Sequence, residues 1–387
     1  VPKYELPDPL VKNNGNSVKS VKDWEQKRRP EIMDMLRQEM YGYEPGKPAG
    51  LHFKVLEESH DAFGGKATRR QVAVYFTEDE SHYMTVLMYI PNDAKGPAPA
   101  VMGMNFRGNY ATTTDPEVLM PTESQIEDYG AWYQPVNRGD WGRRWPYEYV
   151  LSKGYAVVTM FYGDVDPDWN DGFHNGVHGL LDKGKPRTGE SWSTISAWAW
   201  GLSRALDYLE TDKDIDAGKV AVLGHSRLGK TALWAGATDQ RFALVISNCS
   251  GCCGSAISRR KFGETIYIVN DAFQHWFCGN FEKYSNNEDA LPFDQHELIS
   301  MIAPRPVYVS SGSEDNWADQ KGEYLSLVGA TPVYNLYGYE GFTSTEKPGV
   351  EDPETVGRMG NHIRKGNHDI LLYDWTQFIN FADKFLK

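Results

Sequence analysis

Apolar positions in this 387-residue chain change their spacing several times, and the changes outline its elements. Trp24, Ile32, Met35, Leu36 and Met40 recur near the helical period, which predicts one helix over Val21–Met40 inside an otherwise irregular arm, residues 1–50. Strands follow. Gln71–Thr77 and Met84–Pro91 are rich in β-branched and aromatic residues and flank the charged turn Glu78-Asp79-Glu80-Ser81, the mark of an antiparallel hairpin. Pro99–Asn105, Gly154–Tyr162, Lys219–Leu223, Ala243–Ser247 and Pro306–Ser311 are short apolar runs, with Pro332–Tyr337 as a further strand candidate. Ser191–Leu209, Arg227–Ala237 and Leu371–Phe385 read as helices between and after them. Strands with no polar face need cover on both sides. The expected fold class is α/β, a three-layer sandwich with a mostly parallel central sheet and an N-terminal antiparallel hairpin. A single domain over residues 51–387, with a polar Trp- and Gly-rich insertion at about 110–150, accommodates the pattern.

Charge narrows the partners. A formal charge of −13 argues against nucleic acid, because phosphate binding draws on clustered Lys and Arg. No run of about 18 apolar residues is present to form a spanning helix, so no membrane partner is expected. A small molecule or neutral polymer remains, and 12 Trp and 22 Tyr suit sugar rings, although core packing is their ordinary use. The polar opening at Val1-Pro2, without an initiator Met, reads as a mature end, so a secreted or periplasmic location is expected. Cys249, Cys252, Cys253 and Cys278 crowd into 30 residues without the paired spacing of a zinc site. Buried or locally paired cysteines and no metal are the expectation.

Gly224-His225-Ser226-Arg227-Leu228-Gly229 lies between the strand Lys219–Leu223 and the helix opening at Arg227. A serine on such a turn is pushed outward at the carboxyl edge of the sheet, at a helix N-terminus that favours developing negative charge. The turn is that of a nucleophile elbow in the α/β-hydrolase fold, with Leu228 at the position of the last glycine of G-x-S-x-G. The bland reading of Ser226 is a helix N-cap. A serine needs a base, itself oriented by an acid, and in that fold they follow the nucleophile as acid and then histidine. Asp315, in the loop after Pro306–Ser311, and His368, in the loop before the last helix, stand in that order. Glu314 and Asp319 compete with Asp315, and His362 with His368. His225 is expected to point away, and the other histidines read as surface or structural. The Arg227 N–H and the loop Phe106–Asn109 are candidate oxyanion donors.

The blocks GHSRLGK (Gly224–Lys230), SRRKFGETI, QHWFCGNF, SSGSEDNWAD and GNHD, with RRWPYE and FYGDVDPD upstream, resemble the bacterial glucuronoyl esterases of carbohydrate esterase family 15. The resemblance covers roughly residues 85–387. It implies a serine esterase with no cofactor and no metal, acting on esters between 4-O-methyl-glucuronic acid branches of xylan and lignin alcohols. It also implies roles: Ser226 as nucleophile, His368 as base, Arg227 at the oxyanion, and Lys230, Glu264, Trp317 and Trp276 around the uronate. Fungal members carry a catalytic glutamate in the block that reads Asn248-Cys249-Ser250-Gly251 here, which favours Asp315 as the acid and leaves Cys249 without a task. A monomer is expected. The competing readings are a broader carbohydrate esterase, such as an acetyl xylan esterase, and a catalytically silent carbohydrate-binding protein on the same fold.

Overall fold

A computed structural model describes all 387 residues. Ten strands form one sheet: β1 (His52–Asp61), β2 (Ala67–Tyr75), β3 (Tyr83–Pro91), β4 (Ala98–Asn105), β5 (Ala156–Phe161), β6 (Ile215–His225), β7 (Leu244–Asn248), β8 (Val307–Gly312), β9 (Glu354–Val356) and β10 (Met359–Arg364). Their order is β1-β2-β3-β5-β4-β6-β7-β8-β10-β9. The six strands from β5 to β10 in that order run parallel, with β1–β3 antiparallel along one edge and β9 antiparallel on the other.

Period-2 alternation divides each central strand between two cores. Val158, Met160 and Val222 point into a cluster of 73 buried residues. Their neighbours Val157, Ala221 and Leu223 point into one of 26 on the opposite face. Helices α1 (Thr194–Leu209) and α2 (Arg227–Thr238) help cover the larger core, and α4 (Leu372–Leu386) closes the smaller. The chain is thus the expected three-layer α/β sandwich. Between them in sequence, α3 (Gln320–Leu336) follows β8.

Pro332–Tyr337 is not a strand, because Pro332 lies inside α3. Leu327, Ala330, Thr331, Val333 and Tyr334 are buried at helical spacing, and this packed face outweighs the missing amide of the proline. Three strands lay outside the sequence expectation. β1 is an edge strand of mostly exposed polar residues, β9 spans three residues, and β10 is wholly buried yet reads Met-Gly-Asn-His-Ile-Arg. Val21–Tyr41 is helical, its α turns (Val21–Asp23, Arg29–Leu36) alternating with π turns (Trp24–Arg28, Arg37–Tyr41). Tyr41 stacks on Trp234 of α2 at 3.9 Å, and buried Arg28 pairs with Glu297 at 2.8 Å.

Candidate active site

β6 ends at His225, and Ser226 turns the chain into α2 with φ 59° and ψ −129°, a conformation costly for any residue but glycine. The turn is this tight because Gly224 has no side chain: a Cβ there would fall 1.7 Å from the Leu228 carbonyl oxygen. Leu228 points into the larger core. Gly229 makes the close approach instead, its virtual Cβ 2.9 Å from Ser250 Cβ. The shifted glycine of the motif therefore has a packing cause.

Asp315 follows β8, and His368 sits in the loop between β10 and α4. His368 Nδ1 and Asp315 Oδ2 are 2.6 Å apart. Ser226 and His368 line one cleft of about 250 Å³, together with Arg227, Phe106, Arg107, Trp132, Trp141 and Arg144. The rivals are engaged elsewhere. Asp319 pairs with Arg260 and caps α3, Glu314 is exposed, and His362 is buried between the Tyr308 hydroxyl and Asp374. The histidine loop is held from beneath by Arg364, which donates to Asp374 and to the carbonyl oxygens of Lys365, Asn367 and Asp369. From above, Arg143 and Arg144 bind the Asp369 carboxylate.

His225 does not point away. Its ring lies 4.7 Å from that of His368, with Nδ1 2.6 Å from Asn248 Oδ1. Burial, then the charges of His368 and Arg144, hold it well below the usual histidine range, so it stays neutral beside the base. The Gly108 N–H is likewise committed, donating to Asn105 Oδ1 at 2.9 Å.

Arg227 is fixed by a residue that sequence spacing gave no reason to single out. Its Nη1 donates to Asp168 Oδ2, and its guanidinium lies over the Trp276 and Phe273 rings at 4.9 and 5.2 Å. Asp168 also accepts from Tyr162 Oη at 3.0 Å, and from His275 Nε2 and Trp276 Nε1 at 2.8 Å each. Burial pushes this carboxyl up, but the His275 hydrogen bond, the Arg227 charge and the Trp276 indole outweigh it and hold Asp168 well below the usual range. His275 thus belongs to this network and not to the surface.

The four residues expected around the uronate form a second cluster, outside the lining of the cleft at Ser226. Lys230, 3% exposed, donates to the carbonyl oxygens of Ser250 and Cys252 at 2.6 Å each, with Glu264 Oε2 3.5 Å away and the Trp276 ring at 5.7 Å. Trp276 joins this cluster to Arg227. Trp317 is 55% exposed, and its carbonyl accepts from the Glu264 N–H. All four cysteines are free and buried. Cys249 stands at the end of β7 with φ 47°.

A model of fungal glucuronyl esterases matches residues 187–338. The chain is 47% identical to carbohydrate esterase MZ0003 from an unknown prokaryotic organism, covering 99% of this chain and 90% of the relative. It is 29% identical to 4-O-methyl-glucuronoyl methylesterase 1 of Wolfiporia cocos, over 88% of this chain and 76% of the relative. Among solved structures, the glucuronoyl esterase from Solibacter usitatus superposes with a TM-score of 0.94 at 40% identity, covering 100% of this chain and 99% of the other. A promiscuous family 15 esterase from a marine bacterial metagenome gives 0.89 at 44% identity, covering 100% and 98%. Similarity of this extent, over an elbow serine with a histidine–aspartate pair at the same cleft, makes the chain a carboxylic ester hydrolase that belongs to the glucuronoyl esterases of carbohydrate esterase family 15.

Proposed function

We propose that this enzyme hydrolyses esters of 4-O-methyl-glucuronic acid, such as those joining glucuronoxylan branches to lignin alcohols, through an acyl-enzyme on Ser226. The observation that carries the reading is the 2.6 Å contact of His368 Nδ1 with Asp315, at the cleft where the elbow presents Ser226. Asp315 accepts a hydrogen bond from Nδ1–H, which keeps the proton on that nitrogen and leaves Nε2 unprotonated as the base. Ser226 Oγ attacks the ester carbonyl carbon while His368 Nε2 takes its proton. The oxyanion forms beside the Arg227 N–H at the start of α2, with the Arg227 guanidinium nearby. Collapse breaks the bond to the alcohol oxygen, which leaves with the proton from His368. Water, deprotonated by the same nitrogen, then cleaves the acyl-enzyme and frees the uronate.

A neutral ester becomes an anion in this reaction. Arg107, Arg144 and Arg227 line the cleft of a chain whose net charge is −13, so the local field favours that product. Lys230, Glu264, Trp276 and Trp317 are proposed to contact the sugar, with Trp317 as the exposed ring face. A polymeric cell-wall substrate places the enzyme outside the cytoplasm, secreted or periplasmic. No helix is long and apolar enough to cross a membrane. We propose that it acts as a monomer.

The similarity to a promiscuous family 15 esterase favours testing a broader reading too. Benzyl glucuronate and p-nitrophenyl acetate, assayed with wild type and with the Ser226→Ala, His368→Ala and Asp315→Ala variants, decide the mechanism. All three variants lose glucuronate hydrolysis if the triad is correct, and full activity of Ser226→Ala refutes it. Glu264→Ala and Trp317→Ala lower the glucuronate rate far more than the acetate rate; equal losses on both substrates overturn uronate recognition there.

A further inference from the structure

Cys249 has no task in this mechanism, yet it stands against two groups that do. Its Sγ, a carboxylate oxygen of Asp315 and a ring nitrogen of His368 all lie within 4.8 Å of one another. The spacing is set by the sheet. Cys249 and Asp315 follow the adjacent parallel strands β7 and β8, while His368 follows β10, the neighbour of β8 on its other side. The Cys249 N–H donates to the Ser310 carbonyl at 2.7 Å, which ties the thiol's backbone to the strand that leads to Asp315. Cys249 and Asp315 are buried, and His368 lines the cleft, so the cluster meets solvent on its histidine side.

One sulfur, one imidazole nitrogen and one carboxylate oxygen form a donor set for a borderline or soft divalent cation. Magnesium and calcium prefer sites built from oxygen alone. We propose that Cys249, Asp315 and His368 form an inhibitory binding site for a thiophilic divalent cation of the zinc and cadmium class. Inhibition rests on the proposed roles of His368 and Asp315; cation binding does not.

Binding needs no redox chemistry. The cation replaces the thiol proton, which passes to solvent, and accepts the lone pair of His368 Nδ1, the nitrogen facing Asp315. The imidazole proton that sat on Nδ1 moves to Nε2. An Nε2 that carries a proton cannot take one from Ser226, so the base is lost while cation is bound and regained when a chelator removes it. The charges of thiolate and carboxylate balance the dication within the site.

The test is a zinc titration of benzyl glucuronate hydrolysis by wild type, Cys249→Ser and Cys249→Ala, each measured against its own metal-free rate, with magnesium as control. Zinc inhibits the wild type reversibly, EDTA restores it, magnesium has no effect, and both variants require at least about tenfold more zinc. Cadmium added to the Ser226→Ala protein gives an ultraviolet thiolate-to-metal band at one equivalent, which the Ser226→Ala/Cys249→Ser protein lacks. The band needs no turnover, so it decides the site even if the glucuronate reading fails. It also separates Cys249 from the buried Cys252, Cys253 and Cys278. Equal zinc sensitivity in all three proteins, an unaffected wild type in millimolar zinc, or a band that survives loss of Cys249 would overturn the proposal.

Discussion

The carboxylate of Asp168 bonds the guanidinium of Arg227, 59 residues away in sequence, and also takes the indole N–H of Trp276 on whose ring that guanidinium rests. One buried anion therefore fixes both the guanidinium that lines the Ser226 cleft and the indole that joins that cleft to Lys230.

Asp168→Asn keeps the shape but removes the charge that holds Arg227. Loss of an oxyanion donor costs about 10²–10³ in kcat, and a misplaced one costs less. The expected result is a fall of about tenfold to a hundredfold in kcat for benzyl glucuronate, with KM changed by less than about threefold. Steady-state kinetics read the split. A purely structural role would instead lower thermal stability and leave kcat per folded molecule unchanged.

Gly224→Ala drives a methyl group into the Leu228 carbonyl, a backbone atom that cannot turn aside. The expected destabilisation is about 4 kcal/mol or more, in the range of severe overlap that the surrounding backbone cannot relieve. Chemical denaturation of the variant measures it. Ser226→Ala, by contrast, preserves the turn and should unfold within about 1 kcal/mol of the wild type.

Glu323 lies beneath the Asp315 loop and accepts from the Gly251 N–H and the Ser255 and Ser311 hydroxyls. Burial, against those three hydrogen bonds, raises its pKa from 4.5 to about 7. A raised carboxyl binds its proton more tightly folded than unfolded, so its contribution to stability is complete below about pH 4.5 and is lost as pH rises towards 7. Glu323→Gln cannot titrate. The melting temperature of wild type relative to this variant should fall between those two pH values and then level off; a constant difference would contradict the assignment.

Asp369 joins the histidine loop to Arg143 and Arg144 of the insertion. Asp369→Ala should loosen the seat of His368 and lower kcat about tenfold, with substrate affinity little altered. Burst kinetics assign the loss: slower acylation is expected, and an unchanged burst rate with slower turnover would place the effect in deacylation or release.

The elbow was legible because its strand, its glycine and its serine are contiguous; Asp315 drew notice because it follows an apolar run, and His368 because it precedes the last helix, in the chain order Ser, acid, His. Asp315 stood out from Asp319 and Glu314 only in three dimensions, since all three occupy one turn and the Arg260 partner of Asp319 is remote in sequence. The Asp168 network was hidden for the same reason: His275 lies 107 residues from the carboxylate it binds, and no local spacing encodes that contact. β10 escaped because its buried Asn361, His362 and Arg364 hydrogen-bond to Val309, Tyr308 and Asp374, partners that a reading of apolar runs does not see. The Pro332–Tyr337 segment misled because its β-branched and aromatic content matched a strand, while packing along α3 decided otherwise.

Covalent capture examines the central claim most directly. Wild-type enzyme mixed with benzyl glucuronate, quenched in acid within the first turnover and digested, should carry one glucuronoyl group on the peptide containing Ser226, and the Ser226→Ala protein should carry none. A label on another residue, or glucuronate release by Ser226→Ala at the wild-type rate, would contradict it.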